Sequence, residues 1–323
     1  MRAALFRAGG AARDVLTVEE IDAPVPGPGE VRVRVTVSAV NPTDWKERSS
    51  GAAVRDLPFK VPNQDGAGVV ERVGEGVDPA RVGERVWLYF AAWRRRWGTA
   101  AELCVVPAER AVPLGDGTAD ELGASLGIPA LTAHRCLFAD GPVDGRTVLV
   151  AGGAGAVGHY AIELAKWRGA RVIATVSGPE KGELARAAGA DEVVDYRAED
   201  AAARIRALAP DGVDRVVEVA LHRNVALDSA VCGDHAVIAA YANGGRAQIA
   251  ASDVMARNIA LRFVLVYTMP RRAVEAAVAE VREALAADAL TLLPLHRFPL
   301  DRIADAHDAV EGGAVGKVLV DVA

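Results

Sequence analysis

The chain has 323 residues, a formal net charge of −6 and 51% hydrophobic residues. This length and composition predict two domains with a substantial core, and the acidic balance argues against nucleic acid as a partner. Three widely spaced cysteines, no signal-peptide pattern and no apolar run of membrane-spanning length predict a cytoplasmic protein with reduced thiols and no membrane contact.

The first third of the chain is rich in short alternating runs. Residues 31–37 read Val-Arg-Val-Arg-Val-Thr-Val, and prolines and glycines crowd positions 24–29 before them. This alternation is typical of half-buried strands that are separated by turns. We therefore expect residues 1–122 to form a β-rich domain.

From residue 123 onward, apolar strands alternate with helical patterns. The expected strands are residues 147–150, 171–176, 192–194, 213–220, 236–240 and 261–266. The expected helices are residues 161–168, 179–188 and 201–208. Parallel strands with helical crossovers form a doubly wound α/β sheet, here predicted for residues 123–268. Residues 269–323, which begin with an amphipathic helix over 271–287, are expected to return to the first domain.

A glycine-rich turn follows the first of these strands. Gly153, Gly155 and Gly158 have the spacing of a dinucleotide-binding turn, with Ala156 and Val157 between the last two. Such a turn lets backbone N–H groups approach a pyrophosphate and directs a helix N-terminus at its charge. Because a strand precedes the turn and a helix follows it, we expect a dinucleotide to bind there rather than a simple reversal of the chain.

The next strand ends without the carboxylate that NAD-preferring sites use. Residues 174–178 contain neither Asp nor Glu, whereas Ser177, Lys181 and Tyr196 lie nearby in the sequence. A hydroxyl, an ammonium and a phenol together suit the extra phosphate of NADPH. The alternative is that Lys181 is a solvated surface charge and that Tyr196 ends a strand.

Several further motifs occur in a fixed order. They are residues 41–45 (Asn-Pro-Thr-Asp-Trp), 65–74, 82–86, 127–133 and 316–318, in addition to the glycine turn. Together they resemble the zinc-free quinone oxidoreductase branch of the medium-chain dehydrogenase/reductase superfamily, which includes ζ-crystallin. The resemblance implies a GroES-like catalytic domain over residues 1–122, an NADP-binding Rossmann domain over 123–268, and a return to the catalytic domain over 269–323.

The resemblance also implies that no metal is bound. Zinc-dependent relatives place Cys where this chain has Asn41, His-Glu where it has Gln64-Asp65, and Cys where it has Ile128. An amide and an aliphatic side chain do not replace a thiolate and an imidazole as zinc ligands. Without a Lewis acid, reduction of an electron-poor quinone or enone is easier than exchange of hydride with an alcohol.

The same resemblance suggests residue roles. Asn41 is expected near the nicotinamide, although Asn-Pro also commonly starts a turn. Thr132 is expected at the nicotinamide ribose or ring, or else as an ordinary helix hydroxyl. Gln64 is expected to line the substrate pocket, and Asp65 to have a structural role.

A small group of side chains is expected to complete the site. The aromatic residues Trp45, Tyr89 and Trp93 offer flat faces for a quinone. Arg48 and residues 94–96 (Arg-Arg-Arg) are candidates for binding an acidic substrate or a CoA phosphate, although a solvated loop is the favoured interpretation. Tyr241 and Asn243 lie in a loop that the resemblance places against the cofactor.

Three functions remain open from the sequence. The leading one is NADPH-dependent quinone reduction, and its close rival is reduction of an enone or enoyl thioester on the same fold. A third is a non-catalytic NADPH-binding sensor or RNA-binding protein, which the negative charge disfavours. The apolar pattern at residues 262–267 predicts a homodimer through the last strand of the sheet.

Overall fold

The computed structural model describes residues 1–322, which form two compact units. Unit 1 comprises Met1–Ile128 and the chain from Pro294 onward, and unit 2 comprises Pro129–Leu293. The structure divides the chain after residues 128 and 293, whereas the sequence predicts divisions after residues 122 and 268. No helix within residues 1–322 is long and apolar enough to cross a membrane.

The first part of unit 1 is rich in strands, as its alternating pattern predicts. Its elements in chain order are β1 (Arg2–Leu5), α1 (Ala12–Val15), β2 (Thr17–Glu20), β3 (Glu30–Val40), α2 (Pro42–Ser50), β4 (Asp65–Val73), β5 (Arg85–Leu88), β6 (Leu103–Pro107), β7 (Ala111–Pro113) and α3 (Asp120–Phe138). Val31, Val33 and Val35 are fully buried on one face of β3, because side chains two residues apart share a face of a strand. The unit boundary falls inside α3, just before Pro129.

Unit 2 has the predicted doubly wound architecture. Its elements are β8 (Thr147–Ala151), α4 (Ala156–Trp167), β9 (Arg171–Val176), α5 (Pro179–Ala187), β10 (Glu192–Asp195), α6 (Ala201–Leu208), β11 (Val213–Glu218), α7 (Leu221–Val231), β12 (Cys232–Ala240), α8 (Ala251–Met255), β13 (Ala260–Phe263) and α9 (Arg271–Ala286). All neighbouring strands are parallel, in the order β10-β9-β8-β11-β12-β13. This is the strand order of a Rossmann sheet, so the predicted fold class is confirmed.

The chain then re-enters unit 1 and completes its sheet. The returning elements are β14 (Leu295–Pro299), α10 (Ile303–Glu311) and β15 (Lys317–Asp321). The order is β14-β15-β3-β4-β5-β7, with β6 paired to β3 as well. Strand β15 therefore lies inside the sheet, antiparallel to β3.

The helix α9 belongs to unit 2, whereas the sequence pattern placed it with the first domain. Glu280 of α9 accepts a hydrogen bond of 2.9 Å from Arg168, which follows α4. The segment after α9 is also attached to unit 2, because the backbone N of Thr291 donates to the Glu163 carboxylate of α4 at 3.1 Å. These polar contacts were not visible in the hydrophobic periodicity on which the sequence boundary rested.

A pair of carboxyl groups is fully buried in unit 2. Glu218 ends β11 and accepts hydrogen bonds from the Asn224 side chain and the Ala220 backbone N. Burial, together with the negative charge of Glu218, raises the pKa of Asp228 to about 9, and burial also raises the pKa of Glu218. Asp228 is therefore protonated at neutral pH and is the donor toward the Glu218 carboxylate.

This pair predicts a specific dependence of stability on pH. The folded protein holds a proton on Asp228 that the unfolded chain loses above about pH 4. Stability is therefore lost as pH rises from there to about 9, by at most about 1.4 kcal/mol per pH unit. In Asp228→Asn, an amide N–H replaces the carboxyl proton without titrating. We expect its melting temperature to exceed that of the wild type by a margin that widens with pH.

Calorimetry at several pH values between about 5 and 9 measures this margin. Asp253→Asn, at an exposed position on α8, is the matched control and is expected to give no widening margin. A margin for Asp228→Asn that stays constant with pH would contradict the shared-proton interpretation.

Candidate active site

Asn41 stands at the junction between β3 and α2 in unit 1. Its backbone N donates to Oδ2 of Asp44 at 2.7 Å, and Pro42 occupies the first position of the helix, where no N–H is needed. The short Asn-Pro-Thr-Asp segment is therefore a helix start. Asn41 itself is 2% exposed, and this local turn fixes the direction in which its amide points.

The amide of Asn41 joins two buried charges. Its Nδ2 donates to Oδ2 of Asp65 at 2.7 Å, and its Oδ1 accepts from Nζ of Lys317 at 2.7 Å. Because an ammonium only donates and a carboxylate only accepts, the amide has a single possible orientation. One hydrogen of Nδ2 has no partner in the described part of the chain, and it remains for an acceptor on a ligand.

Burial shifts the pKa values of all three charged groups around Asn41. It raises the pKa of Asp65 to about 6, against the opposing influence of Lys317 and of hydrogen bonds from Ile128 N and Asn41. It also raises the pKa of Asp44, and it lowers the pKa of Lys317, which the two carboxylates partly offset. Asp65 is thus charged at neutral pH, and it compensates the ammonium of Lys317 through the Asn41 amide.

Two glycines make room for this arrangement. A Cβ on Gly127 would lie 2.1 Å from Oδ1 of Asp65, so a larger residue would displace the carboxylate. Gly316 precedes Lys317 with φ +114°, and a Cβ there would lie 2.2 Å from the backbone oxygen of Pro294. Both positions therefore require glycine for steric reasons.

Gln64 contributes an unmatched acceptor. Its side chain is 1% exposed, and Oε1 is buried without a hydrogen-bond partner within residues 1–322. Its backbone oxygen accepts from Ala91 N at 2.9 Å, which fixes the main chain there. A buried carbonyl oxygen without a donor is costly, so a donor on a bound ligand fits this position.

The residues expected to line a substrate pocket belong to α2 and to the segment that follows β5, both in unit 1. Trp45 is partly exposed on α2, and Trp93 is partly exposed in the loop after β5. Tyr89 is buried, and its hydroxyl donates to the Glu109 backbone oxygen at 3.1 Å. The fully buried Arg48 donates to Glu311 at 2.7 Å and to the Gly10 backbone, so its guanidinium is occupied by the fold.

The glycine turn of unit 2 has the close packing that a dinucleotide site needs. A Cβ on Gly158 would lie 2.3 Å from the backbone oxygen of Gly152, and one on Gly153 would lie 2.8 Å from Cβ of Ala174. Gly155 is the N-cap of α4, which begins at Ala156 and Val157. The helix N-terminus therefore stands directly after β8, as the sequence predicts.

The residues expected at an adenosine phosphate lie at the end of β9. Nζ of Lys181 donates to Oγ of Ser177 at 3.0 Å, so these two side chains are already together. Lys181 has no ion-pair partner within residues 1–322 and is available to an anion. Tyr196 lies just after β10 and is 50% exposed.

The remaining predicted residues of unit 2 lie in α3 and after β12. Thr132 is 4% exposed in α3. Burial, with smaller contributions from Cys136 and Glu218, raises the pKa of Tyr241 well above its usual value, so its hydroxyl stays protonated. Asn243 is exposed in the loop that follows.

Two residues to which the sequence analysis gave no role shape these sites. Lys317 donates to Oδ1 of Asn41, and the terminal Gly-Lys-Val motif was the sequence signal that could have identified it. The His222 ring lies against Gly244, where a Cβ would be 2.1 Å from its Cε1. His222 therefore packs against the loop that contains Asn243, and no spacing rule in the sequence points to this contact.

Comparison with known families gives two matches that together cover most of the chain. Residues 27–116 match the alcohol dehydrogenase GroES-like domain, and residues 156–283 match the zinc-binding dehydrogenase family. The first lies in unit 1 and the second in unit 2.

Relatives of full length are also found. A quinone oxidoreductase of Rattus norvegicus is 27% identical over 98% of this chain and 96% of its own. A mycobacterial protein solved in complex with NADPH is 31% identical, with a TM-score of 0.86 over 99% of both chains. An NAD-dependent alcohol dehydrogenase is 28% identical, with a TM-score of 0.90 over 100% of both chains.

The residues present do not fit a catalytic zinc ion. Oδ1 of Asn41 accepts from a lysine ammonium, which would repel a metal cation, and Ile128 offers no donor atom. Within residues 1–322, no group of three or more His, Cys, Asp or Glu side chains is placed to hold a metal. The residues around Asn41 therefore do not support zinc-dependent chemistry.

Proposed function

Because the chain belongs to the quinone oxidoreductase branch of the medium-chain dehydrogenase/reductase superfamily, we propose that it reduces quinones with NADPH and without zinc. The observation that carries this proposal is the hydrogen-bonded chain from Lys317 through Asn41 to Asp65, which stands in place of metal ligands. The full-length similarity to a quinone oxidoreductase supports the choice of substrate class.

NADPH is the proposed cofactor because the end of β9 favours an anion. The backbone of the turn from Gly152 to Gly158 would hold the pyrophosphate, and Lys181, Ser177 and Tyr196 would hold the extra phosphate. When bound, NADPH supplies a hydride to the acceptor. The turn is compatible with this role, since Gly155 is exposed and the first residues of α4, Ala156 and Val157, are partly exposed.

The side chains of unit 1 are proposed to orient and polarise the acceptor. The remaining Nδ2 hydrogen of Asn41 donates to a quinone oxygen, and the ammonium of Lys317 at Oδ1 strengthens this donor by polarising the amide. Oε1 of Gln64 accepts from a hydroxyl of the hydroquinone. A quinone oxygen takes its proton from solvent, so no dedicated acid is required.

Removal of Lys181 tests the cofactor assignment. We expect Lys181→Met to weaken NADPH by about 1.5–3 kcal/mol while NADH binding changes little, because only NADPH carries the extra phosphate. Arg186→Met is a matched control, since Arg186 lies on the same helix but is paired with Glu183 at 2.7 Å. Titration of cofactor fluorescence measures both affinities. Equal weakening of the two cofactors, or tighter NADH binding by the wild type, would contradict the assignment.

Steady-state oxidation of NADPH against 1,4-quinones, 2-alkenals and enoyl-CoA thioesters tests the activity itself. We expect the highest kcat/KM with quinones and expect Asn41→Ala to lower kcat while NADPH affinity stays nearly unchanged. Faster turnover of alkenals or thioesters would assign the enone class instead. If Asn41→Ala folds and retains wild-type turnover, Asn41 serves only to start α2. If no acceptor is reduced, the protein binds the cofactor without catalysing this reaction.

We also propose that two copies of the chain associate through β13. This strand is the last in its sheet, and the side chains at its end and beyond it, Phe263 and Leu265, are 74% and 54% exposed. Met255, before the strand, is 73% exposed. An apolar strand edge with free backbone groups favours pairing with a second copy of itself.

Light scattering during size-exclusion chromatography measures this association. We expect a dimer of the 33.7 kDa chain at micromolar concentration and a monomer for Phe263→Lys, because like charges would then face each other. Val25→Lys, at an exposed apolar residue far from β13 in the sequence, is the control and is expected to stay dimeric. A monomeric wild type would refute the assembly.

A further inference from the structure

The three consecutive arginines 94–96 have different environments. Arg95 pairs with Glu30 at 2.6 Å, and Arg94 lies over the ring of its neighbour Trp93 at 5.4 Å. The guanidinium of Arg96 lies 3.7 Å from the centre of the Phe59 ring and 4.8 Å from that of Trp97. Arg96 is therefore held between two aromatic side chains and is not part of a solvated loop.

The Arg96 guanidinium forms no ion pair within residues 1–322. Its Nε is buried without a hydrogen-bond partner, and no side-chain hydrogen bond or ion pair involves its other nitrogens within residues 1–322. Stacking on aromatic rings covers the faces of the guanidinium but leaves its terminal N–H groups in the plane. These groups present a planar pair of donors to the solvent-accessible space beside them.

That space is a cavity of about 730 Å³ in unit 1. Arg96, Phe59 and Trp97 form one side, and Ile21 and Pro24 are among the residues that complete it. The volume is within the usual range for small-molecule sites. None of these residues belongs to the Asn41–Asp65–Lys317 chain or to the glycine turn, so the cavity is separate from the proposed active-site groups.

The walls of the cavity are fixed before any ligand binds. The backbone oxygen of Arg96 accepts from Val61 N at 3.0 Å, which ties the arginine segment to the segment that carries Phe59. The Phe59 and Trp97 rings pack edge to face, with centroids 5.9 Å apart. A ligand there would find the cation and both rings already in place, which lowers the entropic cost of binding.

We propose that this cavity binds a small aromatic monocarboxylate. A carboxylate matches the parallel donors of the guanidinium, and an aromatic ring matches the apolar walls. Glu20 and Asp22 also line the cavity, and their negative charge disfavours an anion with two charges. A single carboxylate is therefore favoured over phosphate, because it meets less repulsion from these two side chains.

Benzoate is the probe for this site, and benzamide is its neutral isostere. We expect saturable benzoate binding to the wild type by calorimetry or NMR, with a dissociation constant that rises about tenfold or more in Arg96→Gln. Benzamide and inorganic phosphate are expected to bind at least about tenfold more weakly than benzoate. Arg94→Gln is the matched control, and Asn41→Ala reports whether benzoate occupies the active site instead; both are expected to bind benzoate like the wild type.

Several outcomes would overturn the proposal. They are equal benzoate affinity in folded Arg96→Gln, equal affinity of the wild type for benzoate and benzamide, loss of binding in Asn41→Ala, and no saturable binding of benzoate up to roughly 10 mM. If Arg96→Gln fails to fold, Arg96→Lys serves in its place. It keeps the charge but loses the planar fork and the stacking, so benzoate affinity equal to that of the wild type would refute the site.

Discussion

The arrangement of unit 1 around its candidate site depends on the burial of one ammonium group. Lys317 is 3% exposed, and a buried charge without a partner costs several kcal/mol. The Asn41 amide bridges this ammonium and the Asp65 carboxylate, whose negative charge offsets part of the cost of burial. Gly127 and Gly316 leave the space that this hydrogen-bonded arrangement needs. The orientation of the Asn41 amide, and the poor fit of its Oδ1 to a metal cation, follow from that requirement.

Much of unit 2 could be predicted from the sequence, because short local patterns specify its strands, its helices and its glycine turn. The strand Arg171–Val176 has the bounds that the apolar run predicts, and the glycine turn lies where strand, turn and helix patterns meet. The inner strands β8 and β9 are buried on both faces and so appear as nearly continuous apolar runs. The contact between Lys181 and Ser177 was also within reach, since residues four apart on a helix start lie close together.

The rest could not be predicted because it depends on contacts between residues that are distant in sequence. Arg48 was a candidate for a substrate anion, and only the fold brings Glu311 to it from α10. The division after Leu293 depends on polar contacts of Glu280 and Thr291, which hydrophobic periodicity does not report. Likewise, no pattern distinguishes the stacked Arg96 from the paired Arg95, because their different partners come from separate strands and loops.

The position of β15 within the sheet of unit 1 has a consequence for folding on the ribosome. This strand is paired on one side with β3 and on the other with β14, yet it follows the whole of unit 2 in the chain. Residues 129–293 can therefore fold while the sheet of unit 1 still lacks an internal strand. Until β15 emerges, residues 37–40 of β3 lack their partner strand and are open to other nascent chains, because β6 pairs only with residues 30–34. The ammonium of Lys317 arrives with that strand, so closure of the sheet and completion of the candidate site are a single late event in synthesis.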